Sequence, residues 1–174
     1  IARFDNAGNH VWSQQITPGG FGFILGAVSA APDGSIYLAG TLQNGDIDFG
    51  GGVLSGAGQV ALAAFEPDGS PRRRFPVGAG TVKSIAASNT MVAYTGYTTS
   101  TMDCGGGAMN SAGGNDARVA ALNPNGSHRF SQLFGGVDGQ GGLAVDLGPS
   151  DTVVVAASAE TGIDFGGGPL TLGG

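Results

Sequence analysis

The side chains that could do chemistry are few, and their spacing limits what they could do. Asn44, Asp46 and Asp48 stand at alternate positions ahead of a glycine run. Amide and carboxylate oxygens at alternate positions can wrap a hard cation such as calcium. The sixth position of such a loop calls for glycine but holds Phe49, and the distal glutamate is missing. The second glycine run is preceded by Ser100, Met102 and Cys104, which cannot do the same work. Calcium is therefore an expectation for the first run alone. Asp48, Asp103 and Asp164 recur in one phrase, Asp-(Phe or Cys)-Gly-Gly-Gly. The favoured reading is a turn in which each carboxylate accepts backbone N–H groups of its own loop. A ligand role would need three equivalent shallow sites instead. Trp12, Tyr37, Tyr94 and Tyr97 could stack on a sugar, though such rings more often pack between structural units.

No catalytic constellation emerges from the remainder. His10 and His128 each fall six residues after an apolar anchor, Phe4 and Leu122, and Pro71 holds that place in the middle copy. That coincidence argues for a surface strand position. There is no Ser-His-Asp set, no His-x-x-x-His spacing and no cysteine cluster. Gly78-Ala79-Gly80 ahead of Lys83 matches neither a phosphate-binding loop nor a dinucleotide fingerprint. Cys104 is the single cysteine, so it forms no intrachain disulfide; standing where the sister phrases have Phe49 and Phe165, it reads as a small apolar filler. Arg72, Arg73 and Arg74 form a local basic run, read as a solvated hairpin.

The elements that position these residues repeat. The Asp-(Phe or Cys)-Gly-Gly-Gly phrases lie 55 and 61 residues apart, the period of a supersecondary unit. A second anchor recurs with them: Phe4-Asp5-Asn6-Ala7-Gly8, Phe65-Glu66-Pro67-Asp68-Gly69 and Leu122-Asn123-Pro124-Asn125-Gly126 each turn on a closing glycine. Apolar runs precede these turns, and alternating side chains such as Phe130, Gln132 and Phe134 follow, as in a β-hairpin. Another strand pair lies further along each copy, as in Ala27–Ala30 and Ser35–Gly40. About four short strands per unit, without helical periodicity, is the content of one β-propeller blade, with the Asp-Gly-rich phrase between its second and third strands.

The units resemble the bacterial SBBP-type β-propeller repeats. The resemblance rests on Ile36-Tyr37-Leu38-Ala39-Gly40, on Asp116-Ala117-Arg118-Val119-Ala120-Ala121-Leu122-Asn123-Pro124-Asn125-Gly126, and on Phe134-Gly135-Gly136. It spans nearly the whole chain and implies a fold more than a function, since such repeats sit in large secreted or surface proteins of varied roles. Val60-Ala61 and Ala121 depart from the usual pattern and leave those strands less polar than expected.

The expected architecture is thus all-β and propeller-like, with three blade-equivalents of four short antiparallel strands, as a partial ring or half of a six-bladed ring. The chain reads as a single repeat domain over 1–174, with units at 1–20 (partial), 21–80, 81–137 and 138–174 (partial). Three blades are too few to close a ring, so either two copies combine or further blades lie outside the segment; the second is preferred. The abrupt start at Ile1 reads as an excised or processed piece.

Composition narrows the function. The chain has 174 residues, of which 35 are glycine, with 41% hydrophobic and 11% charged residues, and it carries a formal charge of −6. An acidic chain with a single lysine is not expected to bind nucleic acid. No apolar run is long enough for membrane insertion. The expected function is a non-enzymatic repeat module of an extracellular or cell-surface bacterial protein, a scaffold or binding platform without a cofactor. A carbohydrate-binding lectin and a self-assembling structural subunit are the alternatives. The expected partners are other protein chains, further blades of the same protein or a second copy in a homo-oligomer, with carbohydrate as the ligand alternative.

Overall fold

Apolar runs separated by Pro-, Asp- or Asn-containing turns that close on glycine fold back on themselves as hairpins. In the computed structural model, which describes residues 1–19, 22–50 and 52–171 (and only the backbone of Pro76), nearly every such run is a strand. The unit boundary expected at 20/21, the middle glycine of the first phrase (Gly51) and residues 172–174 lie outside the described residues.

The chain opens with a strand pair, β1 (Ala2–Phe4) and β2 (His10–Ser13), followed by the short β3 (Pro18–Gly19). A first four-stranded antiparallel sheet follows, ordered as β4 (Phe23–Ala30), β5 (Ile36–Leu42), β8 (Gln59–Phe65) and β9 (Pro71–Ala79). The hairpin β6 (Asp46–Asp48) and β7 (Val53–Ser55) sits between its second and third strands and also pairs with β3. The plan is then repeated. The second sheet is ordered β10 (Thr81–Ala87), β11 (Val92–Thr98), β14 (Asp116–Leu122) and β15 (His128–Phe134), with the hairpin β12 (Met102–Asp103) and β13 (Ala108–Met109) in the same place. A last pair, β16 (Gln140–Leu147) and β17 (Val153–Ala159), carries its own hairpin, β18 (Gly162–Asp164) and β19 (Pro169–Thr171). There is no α-helix among the described residues, and one 3₁₀ turn covers Pro149–Asp151.

The repetition reaches the irregularities. Every first strand bulges at the same point, between Leu25 and Ala27, Val82 and Ser84, and Gly142 and Ala144, opposite Gly40, Gly96 and Ala157. The fourth strands bulge too, at Val11, Arg72 and Arg129, opposite the ends of the third strands at Phe4, Phe65 and Leu122. Each of these leads into the same turn, where the closing amides of Gly8, Gly69 and Gly126 donate to the carbonyls of Asp5, Glu66 and Asn123 at 3.1, 2.9 and 2.8 Å.

The sheets bury their side chains against one another in layers. One core joins β1–β2 to the first sheet through Trp12, Leu38, Ala61, Ala63 and Phe65. A second joins the two sheets through Tyr37, Leu62, Phe75, Val77, Tyr94 and Leu122. A third joins the second sheet to β16–β17 through Ala93, Ala121 and Val145, with Val153 and Val155 against it. Strands β8 and β14 are consequently buried on both faces. That requirement accounts for Val60-Ala61 and Ala121: a strand between two layers has no solvent side on which to carry polar residues.

Polar contacts tie the layers at their turns. Trp12 Nε1 donates to Pro67 O at 3.1 Å, and Arg73, at the corresponding fourth-strand position, donates to Asn125 O at 2.9 Å. Asp33 N donates to Asn89 Oδ1 at 2.9 Å. The Asp151 carboxylate accepts from the Ser88 hydroxyl at 2.6 Å, from the Thr90 hydroxyl, and from Arg129 Nη1 at 3.2 Å. The hydroxyl of Ser88, then that of Thr90, hold Asp151 below the ordinary carboxylate value, with Arg129 adding to the effect.

Two outcomes follow from this packing. A Cβ on Gly142 would run into Thr95 Oγ1 and lie 3.0 Å from Gly96 N, whereas one on Gly167 would meet nothing within 4 Å. Urea denaturation should therefore show Gly142→Ala destabilised by about 1–3 kcal/mol and Gly167→Ala changed by less than about 0.5 kcal/mol. Because Asp151 has a depressed value in the folded chain, its contribution is present above the ordinary carboxylate range and is lost as pH falls through its folded value. Acid titration of stability should therefore be shallower in Asp151→Asn than in the parent.

Candidate functional site

The Asp-Gly-rich phrases form three copies of one loop. Asp48 Oδ1 accepts the amides of Gly50 and Gly52 at 2.7 and 3.0 Å. Asp103 Oδ1 accepts those of Gly105 and Gly107 at 2.7 and 3.2 Å. Asp164 Oδ1 accepts those of Gly166 and Gly168 at 2.7 and 3.0 Å. In each loop the two donating glycines have φ between 94° and 108°, a region L-residues avoid. The loop also packs closely: a Cβ on Gly50 would strike Pro71, and one on Gly106 the His128 ring. Carboxylate and glycines together fold the first two hairpin tips onto the starts of β9 and β15, the fourth strands of their own units, whereas a Cβ on Gly166, Gly167 or Gly168 would meet nothing within 4 Å.

The residue after each Asp fixes the hairpin from the other side. Phe49 is buried with its ring 5.5 Å from Phe23 and 6.4 Å from Phe65. Cys104 is buried, accepts from the Tyr94 hydroxyl at 3.1 Å and reaches Val77 O at 3.6 Å. Phe165 lies 5.0 Å from Phe134 and is partly exposed. Cys104 and Phe165 thus touch the fourth strand of the unit before their own.

Asp46 and Asp48 share the exposed side of β6, with Ile47 buried between them. The Asp48 carboxylate is already engaged by its own loop. Among the described residues, no three or more His, Cys, Asp or Glu side chains are grouped so that they could hold a metal ion.

The four aromatic candidates are dispersed. Tyr37 and Tyr94 are enclosed between the two sheets and offer no ring face to a ligand, which corrects the stacking expectation for both. Both strands are covered on either side, so the tyrosines had no solvent face to occupy. Trp12 is half-buried over Gly69. Tyr97 is half-buried and carries Lys83 Nζ 5.6 Å from its ring centre. These two belong to different layers and build no common site.

His10 lies edge-on to the Phe4 ring, and His128 Nε2 meets Ser131 Oγ at 3.0 Å, so neither approaches the other. The arginine run is structural: Arg72 meets Glu66 at 3.6 Å and Ser35 Oγ at 3.1 Å, Arg73 holds the next turn, and Arg74 donates to Val53 O at 2.8 Å.

Sequence reasoning missed two features. Arg118 is fully buried, with Nη1 donating to Ala79 O at 2.9 Å and the guanidinium 5.2 Å from the Tyr94 ring centre. Its Nε and Nη2 have no hydrogen-bond partner among the described residues. Burial lowers its value, and burial likewise raises those of Tyr94 and Cys104. No signal in the sequence separates it from a surface arginine. The second feature is a pair of clefts. One, of about 690 Å³, is polar and is lined by Thr41, Gln43, Asn44, Thr98 and Ser100 among others. The other, of about 330 Å³, is apolar and is lined by Val119, Phe130, Phe134, Val153, Val155 and Phe165. The alternation of Phe130 and Phe134 was the available sign of the second.

Compared with known protein families and with curated proteins, the chain matches no family model and no curated protein.

The loop geometry gives a direct test. Replacing Asp103 by alanine removes two charge-assisted acceptor bonds and should cost about 1–2 kcal/mol. In hydrogen exchange, the amides of Gly105 and Gly107 should lose protection first.

Proposed function

We propose that the chain is a non-enzymatic repeat module of the β-propeller type, acting as scaffold or binding platform in an extracellular or cell-surface bacterial protein. The observation that carries this reading is the use made of the repeated polar groups. Asp48, Asp103 and Asp164 all close their own loops, and the turns of successive units bond to one another. Such groups maintain an architecture rather than meeting a substrate. Two further features support the propeller form. The first strands lie next to one another, β4 beside β10 and β10 beside β16, as inner strands do around an axis. Gly26 and Gly142 keep these strands close to their neighbours, and a Cβ on Gly26 would lie 2.6 Å from Val82 O. The surface setting is supported by the resemblance to the SBBP-type repeats.

Thermal denaturation against a panel of neutral and acidic mono- and oligosaccharides tests the scaffold reading against the lectin alternative. A scaffold shows no rise in Tm with any of them. A rise that disappears on Gln43→Ala, an exposed residue lining the polar cleft, would contradict it and make carbohydrate the ligand.

A further inference from the structure

The chain holds two Asn-Gly pairs, Asn44-Gly45 and Asn125-Gly126. Such a pair can rearrange without an enzyme, because glycine, having no Cβ, leaves its own amide nitrogen open to the preceding side chain. The glycine nitrogen attacks the asparagine Cγ and loses its proton to base. The new N–C bond closes a succinimide ring, and the side-chain nitrogen leaves as ammonia. Water then adds to either ring carbonyl and opens the ring to an aspartyl or an isoaspartyl residue. The rearrangement requires a glycine N–H free of other bonds and an asparagine side chain able to turn back over it.

The fold treats the two pairs differently. Asn125 lies in the turn after β14, where its Oδ1 accepts the Ser127 amide at 2.9 Å and the Ser127 hydroxyl at 2.7 Å. Gly126 N donates to Asn123 O at 2.8 Å, and Arg73 Nη1 donates to Asn125 O at 2.9 Å. The attacking nitrogen, the side chain it would attack and the peptide between them are all held. The matching turn after β8 is built in the same way around an aspartate. Asp68 Oδ1 accepts the amide and hydroxyl of Ser70 at 2.8 and 2.6 Å, and Gly69 N donates to Glu66 O at 2.9 Å.

Asn44 and Gly45 stand in the bend between β5 and β6, outside both strands. Asn44 is exposed. Neither its side chain nor the Gly45 amide has a hydrogen-bond partner among the described residues. Gly45 has a φ of 119°, and its carbonyl accepts Gly56 N at a long 3.4 Å. The turn that restrains Gly126 thus has no equivalent around Gly45.

We propose that Asn44 is a site of spontaneous deamidation in the folded chain, while the fold protects Asn125. This goes beyond the repeat-module reading and does not rest on it. Asn44 lines the polar cleft of about 690 Å³, and among the described residues the lining of that cleft carries no charged side chain. Rearrangement writes a carboxylate into it, close in sequence to Asp46 at the start of β6. An isoaspartyl product also lengthens the main chain by one carbon where β5 passes into β6. The charge of the cleft therefore changes with the age of the molecule.

The test incubates the full chain at mildly alkaline pH, both folded and unfolded in guanidinium chloride, and follows each asparagine by peptide mass spectrometry. Circular dichroism checks the β spectrum of the folded samples. In the unfolded chain the two pairs should convert at similar rates. In the folded chain Asn44 should still convert, and Asn125 should convert at least about tenfold more slowly, because it waits for its turn to open. Asn44→Gln, a change at an exposed side chain, should abolish the main conversion and keep the β spectrum. Ser127→Ala, which removes the hydroxyl held by Asn125, should speed conversion of Asn125 and leave that of Asn44 unchanged. Equal conversion of the two in the folded chain, or faster conversion of Asn125, would overturn the proposal. So would a folded chain whose Asn44 stays intact while the unfolded sample converts.

Discussion

Burial of strands on both faces is the constraint on which the rest of this structure depends. The sheets are only two to four strands wide, and a sheet of that width has little interior of its own. Each one here is covered by the next, so that β5, β8, β11 and β14 lie between layers. Several features of the sequence follow from this. Runs such as Ala61-Leu62-Ala63-Ala64 set small side chains between closely spaced backbones, and larger ones such as Phe65, Tyr37 and Tyr94 fill the gaps that remain. The three repeated aspartates sit at hairpin tips, where they bond to backbone.

The Asp-Gly-rich hairpins follow from the same constraint. The first two cross from a second strand to a third, β5 to β8 and β11 to β14, while lying flat against their own units. An aspartate that accepts two amides, with glycines at positive φ, gives a tip thin enough to fit. The following Phe or Cys anchors it. Cys104 is therefore inert by placement: it is buried, its thiol value is raised, and it is bonded to Tyr94 and Val77.

The sequence made the unit and its hairpins legible because glycine, proline and aspartate act locally: a turn is decided by a few neighbouring residues. The closing glycines at 8, 69 and 126 and the three aspartates are such cases. Side-chain environment was less legible. Alternation separates inside from outside only where one face meets water, and β5 and β11 have no such face, so Tyr37 and Tyr94 could pass for ligand-stacking rings. The bulges in the first strands escaped notice because three different residues, Gly26, Lys83 and Leu143, occupy them. Arg118 stayed hidden because its burial depends on Ala79 and Tyr94, which are distant in sequence.

Amide hydrogen exchange followed at several protein concentrations tests the central claim most directly. If neighbouring layers supply the stability of each sheet, the amides of β5, β8, β11 and β14 should exchange slowest, as one group, at every concentration. The outward-facing edge amides of β1 and β17, unpaired among the described residues, should exchange fast. Central strands that exchanged at separate rates, or edge amides of β17 as protected in dilute solution as those of β11, would contradict the account.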